Sequence, residues 1–199
     1  MTLQLQYPPG ATPLDRDEAQ GLIPSYINTQ SELNAAEQSN ILEAQSWVLG
    51  RKHKNILSHA FIRKLHQKMF NQVWKWAGTY RKSDKSIGIH WPQISTELQK
   101  LCADTLYWTE HSTYPWDELG VRFHHRLVSI HPFPNGNGRH ARLITDVFML
   151  THEQTSFTWG SKTTKADIAK NGPIRSTYIQ ALQTADKKQF IDLIKFARS

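Results

Sequence analysis

Apolar residues recur at steps of three and four through most of this chain, and that period restricts what it can become. Leu57, Phe61, Leu65 and Met69 stand four apart; Ile94, Leu98, Leu101, Thr105 and Trp108 follow, then Leu119, Phe123, Leu127 and Ile130. One face of an α-helix repeats at that spacing, whereas a half-buried strand alternates. The pattern predicts helices over 57–73, 94–108 and 119–130, with others at about 139–150, 165–182 and 187–197. An earlier helix is announced by Thr29 and, three residues on, Glu32, the pair that forms a capping box. Its stripe of Leu33, Ile41, Ala44 and Val48 predicts a helix over 29–48 that Gly50 ends. Glu37 fills the missing rung of that stripe and is expected to face inward. The fold class expected is an all-α bundle.

Two stretches depart from this period. Pro8, Pro9, Gly10, Pro13, Gly21 and Pro24 prevent a sustained helix near the start and predict an extended arm. Between Gly78 and Pro92, turn-forming residues surround the alternation Ile87, Ile89, Trp91, which predicts a small β-hairpin. The chain of 199 residues suits one domain. Its expected parts are an arm at 1–28, an N-terminal and candidate regulatory helix at 29–54, a core at 55–160, and C-terminal helices at 161–199 that complete the bundle.

Hydrophobic residues make up 39% and charged residues 21%, enough apolar surface for a core and too little charge for general disorder. No run of about 18 apolar residues is present, and the start lacks a secretory pattern, so a cytoplasmic address without membrane contact is expected. The single cysteine, Cys102, offers neither an internal disulfide nor a zinc pair. Adjacent His124 and His125 point to different helix faces, so they and the nearby His131 and His140 do not read as a zinc site. The net charge of +7 favours phosphate-bearing partners. It is spread along the chain without a recognition-helix pattern, so direct DNA binding is not expected.

The chemistry concentrates in His131-Pro-Phe-Pro-Asn-Gly-Asn-Gly-Arg-His-Ala-Arg142, set between two apolar helical stretches. Gly136 and Gly138 remove Cβ atoms on both sides of Asn137, so the backbone can turn tightly and present successive N–H groups to one point. A helix beginning there adds its positive end, which favours a phosphate. Arg139 and Arg142, three apart, are both expected to reach a multiply charged ligand. His131, directly before this cradle, could take a proton from a hydroxyl beside the phosphate. Phe133 is expected to plug the loop into the core.

This segment resembles the signature HxFx(D/E)GN(G/K)RxxR of the Fic/Doc family. Leu65-His66 and Trp76-Ala77-Gly78-Thr79-Tyr80-Arg81 are similar to the family's stretch leading into its hairpin "flap". The wording of the motif and the Pro-rich start look like the subgroup called mobile mystery protein B. The resemblance implies the Fic fold and a nucleotidyltransferase, a protein adenylyltransferase. It would move AMP from ATP, with Mg²⁺ or Mn²⁺, onto a Ser, Thr or Tyr hydroxyl of a target protein. Carried over by position, His131 is the base, and Gly136, Asn137 and Gly138 form the anion hole. Arg139 holds the leaving phosphates, Arg142 positions the terminal phosphate, and Ser86, Ile87, Gly88 and Ile89 pair edge-on with the target. Strand addition of that kind tolerates varied sequences. The subgroup further implies a helix-turn-helix partner encoded nearby, within a toxin-antitoxin-like or mobile-element gene pair.

Two positions depart from the family. Asn135 stands where an acidic residue usually holds the metal, and an amide brings no negative charge, so metal affinity is expected to fall. The alternatives are a slow AMP transferase, an enzyme with another nucleotide-derived donor, or a protein that only binds nucleotide or partner. Glu37 is a candidate inhibitory residue, expected to pair with Arg142, although its neighbours do not match the family's inhibitory pattern (S/T)xxxE(G/N).

Overall fold

The computed structural model describes residues 13–161 and 172–199. Among them the chain is helical: α1 (Arg16–Ala19), α2 (Gln30–Leu49), α3 (His59–Phe70), α4 (Ile94–Glu110), α5 (Trp116–Ile130), α6 (Asn137–Thr151), α7 (Pro173–Asp186) and α8 (Ile191–Arg198). A 3-10 turn, Trp91–Gln93, leads into α4. The period-based expectations match these elements, except that residues 165–171 and the first twelve residues of the arm lie outside the described ones.

The capping box forms: Glu32 N–H donates to the Thr29 hydroxyl at 3.2 Å, and the Thr29 N–H donates to the Glu32 carboxylate at 2.9 Å. Helix α6 packs its apolar stripe against both α3 and α5. Leu65, Met69, Phe123, Leu127, Ile144 and Phe148 are each at most 1% exposed. α2 packs on α3 and α7 on α8. Asn40 of α2 closes the end of α3, its amide donating to Lys68 O and its oxygen accepting from Gln72 N. No helix among the described residues is long and apolar enough to cross a membrane.

The hairpin expected at 78–92 is not formed. Among the described residues the only β contact is an isolated antiparallel bridge between Leu22 and Trp74. The groups that a hairpin would pair across strands have other partners. Arg81, 2% exposed, sends its guanidinium to the carbonyls of Ser83 and Ile89. Asp84 accepts from Trp91 N at 2.8 Å and contacts His90 Nδ1 at 2.7 Å. A loop results, here still called the flap, with Ser86, Ile87 and Gly88 exposed.

Residues 15–23 run against this loop. Lys85, whose side chain is only 3% exposed, reaches Asp15 at 2.8 Å and Glu18 at 2.6 Å. Ser83 Oγ donates to Asp15 at 2.6 Å, and Trp76 Nε1 donates to Glu18 O at 3.0 Å.

Candidate active site

α5 ends and α6 begins around one loop. His131 closes α5 in a left-handed conformation, φ 53°, ψ 59°, its N–H still donating to Leu127 O. This local kink turns the chain out of the helix. Phe133 then plunges into the core, fully buried as expected, and stacks on His66 with ring centroids 3.7 Å apart. Asn137 locks the turn from within: its oxygen accepts from Phe133 N at 2.9 Å and its amide donates to Phe133 O at 2.8 Å. Its side chain is therefore a staple, and what it can offer an anion is its backbone N–H.

Gly136 caps α6 with φ 78°, and a Cβ there would stand 2.5 Å from the Phe70 ring, so only glycine fits. Gly138 differs. A Cβ on it would make ordinary contacts, 3.7 Å to Arg142 Nη1 and 3.9 Å to the Tyr178 hydroxyl. The first N–H groups of α6 have no acceptor within their own helix and carry its positive end. Beside Gly138 they open between Arg142 and Tyr178.

His66 ties this loop to the flap. It accepts from Gly78 N–H at Nδ1, 3.0 Å, so the Nε2 hydrogen goes to Asn135 O at 3.0 Å. Full burial holds its pKa well below the ordinary histidine range, which keeps that tautomer neutral. Arg81 adds a second tie, donating to His131 O at 2.7 Å, while Arg81 N donates to Pro132 O at 2.9 Å. Gly88 presses directly on His131: a Cβ there would lie 2.7 Å from the His131 Cβ. His131 is 7% exposed, and burial, aided by the Arg81 charge, pushes its pKa down to about 4. Its imidazole is neutral at pH 7 and able to accept a proton.

The two arginines expected to act side by side leave α6 toward different walls. Arg139 lies 4.9 Å from the Phe70 ring centroid and pairs with Glu37 at 2.6 Å. Arg142 lies over Tyr178 of α7, 5.3 Å from the ring centroid. Glu37 is 7% exposed and faces inward as its stripe requires, but its partners are Arg139 and Trp74 Nε1, which donates at 2.7 Å. The expected pair with Arg142 does not form. α2 packs against the side of α6 that carries Arg139, and the residue three places on is turned toward α7.

The Asn135 side-chain oxygen accepts from Gly136 N at 2.6 Å and faces the Arg139 guanidinium at 3.5 Å, and as an amide it brings no negative charge to a cation. Among the described residues, no cluster of three histidine, cysteine or acidic side chains could hold a metal ion.

Sequence reading therefore placed His131, Phe133, the glycines and the burial of Glu37. It missed Arg81, Lys85, Tyr178 and the bridging role of His66. Arg81 and His66 lay within the stretches that resemble the family, and that was the signal available for them.

Comparison with known proteins bears on this geometry. Residues 56–149 match the Fic/DOC family. The chain is 26% identical over 145 residues to "Protein adenylyltransferase Fic" of Nematostella vectensis, covering 71% of this chain and 30% of that protein. It is 34% identical over 77 residues to "Protein adenylyltransferase fic-1" of Caenorhabditis briggsae, covering 37% of this chain and 15% of that one. The chain thus spans less than a third of these curated relatives. Among solved structures, BepC, an effector from Bartonella tribocorum with bound AMPPNP, superposes with a TM-score of 0.68 at 15% identity, over 92% of this chain and 97% of that one. An N-terminal Fic domain from Bartonella quintana with bound ADP gives 0.66 at 16%, over 87% and 86%. These structures share the all-α fold. The motif, the helices that frame it and these matches together show that the chain carries a Fic/DOC family domain at residues 56–149.

Proposed function

We propose that this domain transfers AMP from ATP to a hydroxyl of a target protein. The observation that carries the reading is a neutral, buried imidazole held one turn from a glycine-lined helix N-terminus. His131 takes the proton of the target hydroxyl, whose oxygen attacks the α-phosphorus. The bond from that phosphorus to the oxygen bridging to the β-phosphate breaks, and pyrophosphate leaves against Arg139, Arg142 and the first N–H groups of α6. Charge developing on the phosphates meets the first N–H groups of α6, which are already in place and need little reorganisation in the transition state. The exposed backbone at Ser86, Ile87 and Gly88 lies next to His131 and suits an extended stretch of target.

Glu37 restrains this machine. While it neutralises Arg139, that guanidinium is withheld from the leaving phosphates, and a nucleotide must break a short, largely buried ion pair to recruit it. Asn135 favours a second reading, that of a domain which uses another nucleotide-derived donor or only binds, because its amide brings no negative charge to a metal ion at the phosphates. The test is incubation of the purified chain with labelled ATP and a lysate, beside His131→Ala and Glu37→Gly. Proteins gaining the mass of one AMP moiety, more with Glu37→Gly and none with His131→Ala, are expected. Absence of transfer from ATP in all forms would favour the second reading.

A further inference from the structure

The net charge of +7, read from the sequence as spread along the chain, is concentrated in one stretch. Nine lysines and arginines and no acidic residue lie between Glu43 and Asp84, against 24 and 17 in the whole chain, so acidic residues outnumber basic ones in the rest. The fold turns much of this charge onto one side of α3. Leu65, His66, Met69 and Phe70 are buried, which leaves Arg63, Lys64 and Lys68 toward solvent, interleaved with Gln67 and Asn71.

The loop that leads into α3 adds to this side. Trp47 of α2 stacks on Phe61 of α3 with ring centroids 6.4 Å apart, and the His53 ring sits beside both, 4.8 Å from Trp47 and 5.1 Å from Phe61. His53 thus pins the loop to α3, while Lys52 and Lys54 on either side of it are exposed. Arg51 lies 4.8 Å and Lys68 5.7 Å from the Trp47 ring centroid, so one indole holds a cation from the loop and another from the helix. Among the described residues, none of these six cations of the loop and helix has an ion pair. Glu43 marks the limit of the face, its carboxylate accepting from the Gln72 amide just past α3.

Surface charges of one sign repel, and folded surfaces ordinarily mix the two. A face of one sign suits a partner that carries closely spaced negative charges. Along α3 the cations alternate with amides, which hydrogen-bond phosphates and base edges alike. A protein or membrane partner would need large apolar anchors, and the solvent side of α3 presents only Ala60.

We propose that the α2–α3 loop and the outer side of α3 form a nucleic-acid face, which holds the phosphate backbone without reading sequence. It departs from the expectation that this chain does not touch DNA, which rested on evenly spread charge. The face lies across α3 from His66 and Phe70, which support the motif loop, and the inference is independent of the transferase reading.

The test is fluorescence anisotropy of the full chain with a short labelled DNA duplex and a short RNA strand over a range of salt, with polyglutamate and phosphatidylserine vesicles as competitors. Two variants lose equal charge: Lys52→Gln, Lys54→Gln, Lys64→Gln and Lys68→Gln together on the face, and Lys100→Gln, Lys187→Gln, Lys188→Gln and Lys195→Gln together away from it. Melting curves confirm folding, and the pair Lys52→Gln with Lys54→Gln serves if the larger set is unstable. Wild type is expected to bind nucleic acid with an affinity that falls steeply as salt rises. The face variant should bind about tenfold or more weakly, and the slope of log affinity against log salt should drop by about one for each lysine removed. The control variant should stay within about threefold, since charges beyond a Debye length are screened. Preference for the duplex or for the RNA strand would support the face and say which form it takes. No binding by wild type, equal loss in the two variants, or equally tight binding of polyglutamate or of the vesicles would overturn the proposal.

Discussion

Two loops meet over His131, and they keep their shapes by different means. The motif loop, residues 131–136, is held by its own neighbourhood: the left-handed His131, the left-handed Gly136, and the two bonds from Asn137 to Phe133 four residues away. The flap has internal bonds, from Arg81 to Ser83 and Ile89 and from Trp91 and His90 to Asp84, but it is also fastened by distant ones. Its form depends on Arg81 reaching carbonyls up to fifty residues distant, and on Lys85 reaching acids near the start of the chain. Self-held loops are rigid wherever the surrounding helices stand, whereas a loop held by long-range contacts can change when any one of them is released. That division suits a site that must fix phosphates in one place and admit a protein segment in another.

The sharpest way to break the comparison is Arg81→Met. The buried guanidinium serves the carbonyls of Ser83, Ile89, Ile130 and His131, and removing it takes that donor from all four, with Ile130 O keeping another in Ile89 N. A loss of about 3–5 kcal/mol is expected by chemical denaturation, with the flap disordered and the motif loop retained. A loss below about 1 kcal/mol would mean that the flap holds itself.

Next in size comes a pair of glycine substitutions within the motif loop. Gly136→Ala must accept a positive φ and push Phe70 aside, and should cost about 2–4 kcal/mol. Gly138→Ala meets only ordinary contacts and should change stability by less than about 1 kcal/mol while weakening nucleotide binding, because its methyl enters the opening. Melting curves and nucleotide titrations on the same two proteins separate a residue that shapes the loop from one that leaves space.

Acid should loosen both loops, since neutral histidines join them. In the folded chain His131 protonates only near pH 4, and His124 and His140 near pH 3, because burial disfavours their charged forms. The unfolded chain takes up those protons near pH 6.5, so stability is lost as pH falls from 6.5 toward 3. Asp146 acts in the opposite sense. Burial raises its pKa to about 7, so its stabilising proton is held below 3.8 and is lost as pH rises through 7. Three histidines outweigh one aspartate, and a loss of a few kcal/mol is expected between pH 7 and pH 5 in denaturation curves. A flat profile over that range would contradict the burial assigned to these rings.

The same division explains what could be read in advance. The bundle was legible from its period, and the motif loop from residues whose partners lie within a few positions, as with Gly136, Asn137 and Phe133. Glu37 was legible as far as its inward direction. Its partner lies 102 residues away and was decided by which side of α6 meets α2, a matter of packing that spacing does not encode. The flap misled for a related reason. Ile87, Ile89 and Trp91 alternate as a strand would, yet the pairing groups beside them are taken by Arg81 and Asp84, whose reach is visible only in three dimensions.

The smallest expected effect tests how the flap is fastened from outside. Asp15 and Glu18 both contact Lys85, and Asp15 also accepts from Ser83 Oγ. Asp15 is half exposed, so the direct contribution of its pair is screened, and Asp15→Asn with Glu18→Gln should lower global stability by only about 1 kcal/mol. The local consequence should be larger. Lys85 loses both counter-charges while its side chain stays buried, so it will favour states in which the flap lifts and exposes the ammonium group to water. Hydrogen exchange at residues 84–89 is therefore expected to accelerate about tenfold, a factor that corresponds to about 1.4 kcal/mol, while residues 131–140 keep their protection. If both stretches accelerate together, the two loops open as one unit and the flap has no independent motion. If neither does, Arg81 alone fastens the flap, and residues 15–23 pack on it without holding it down.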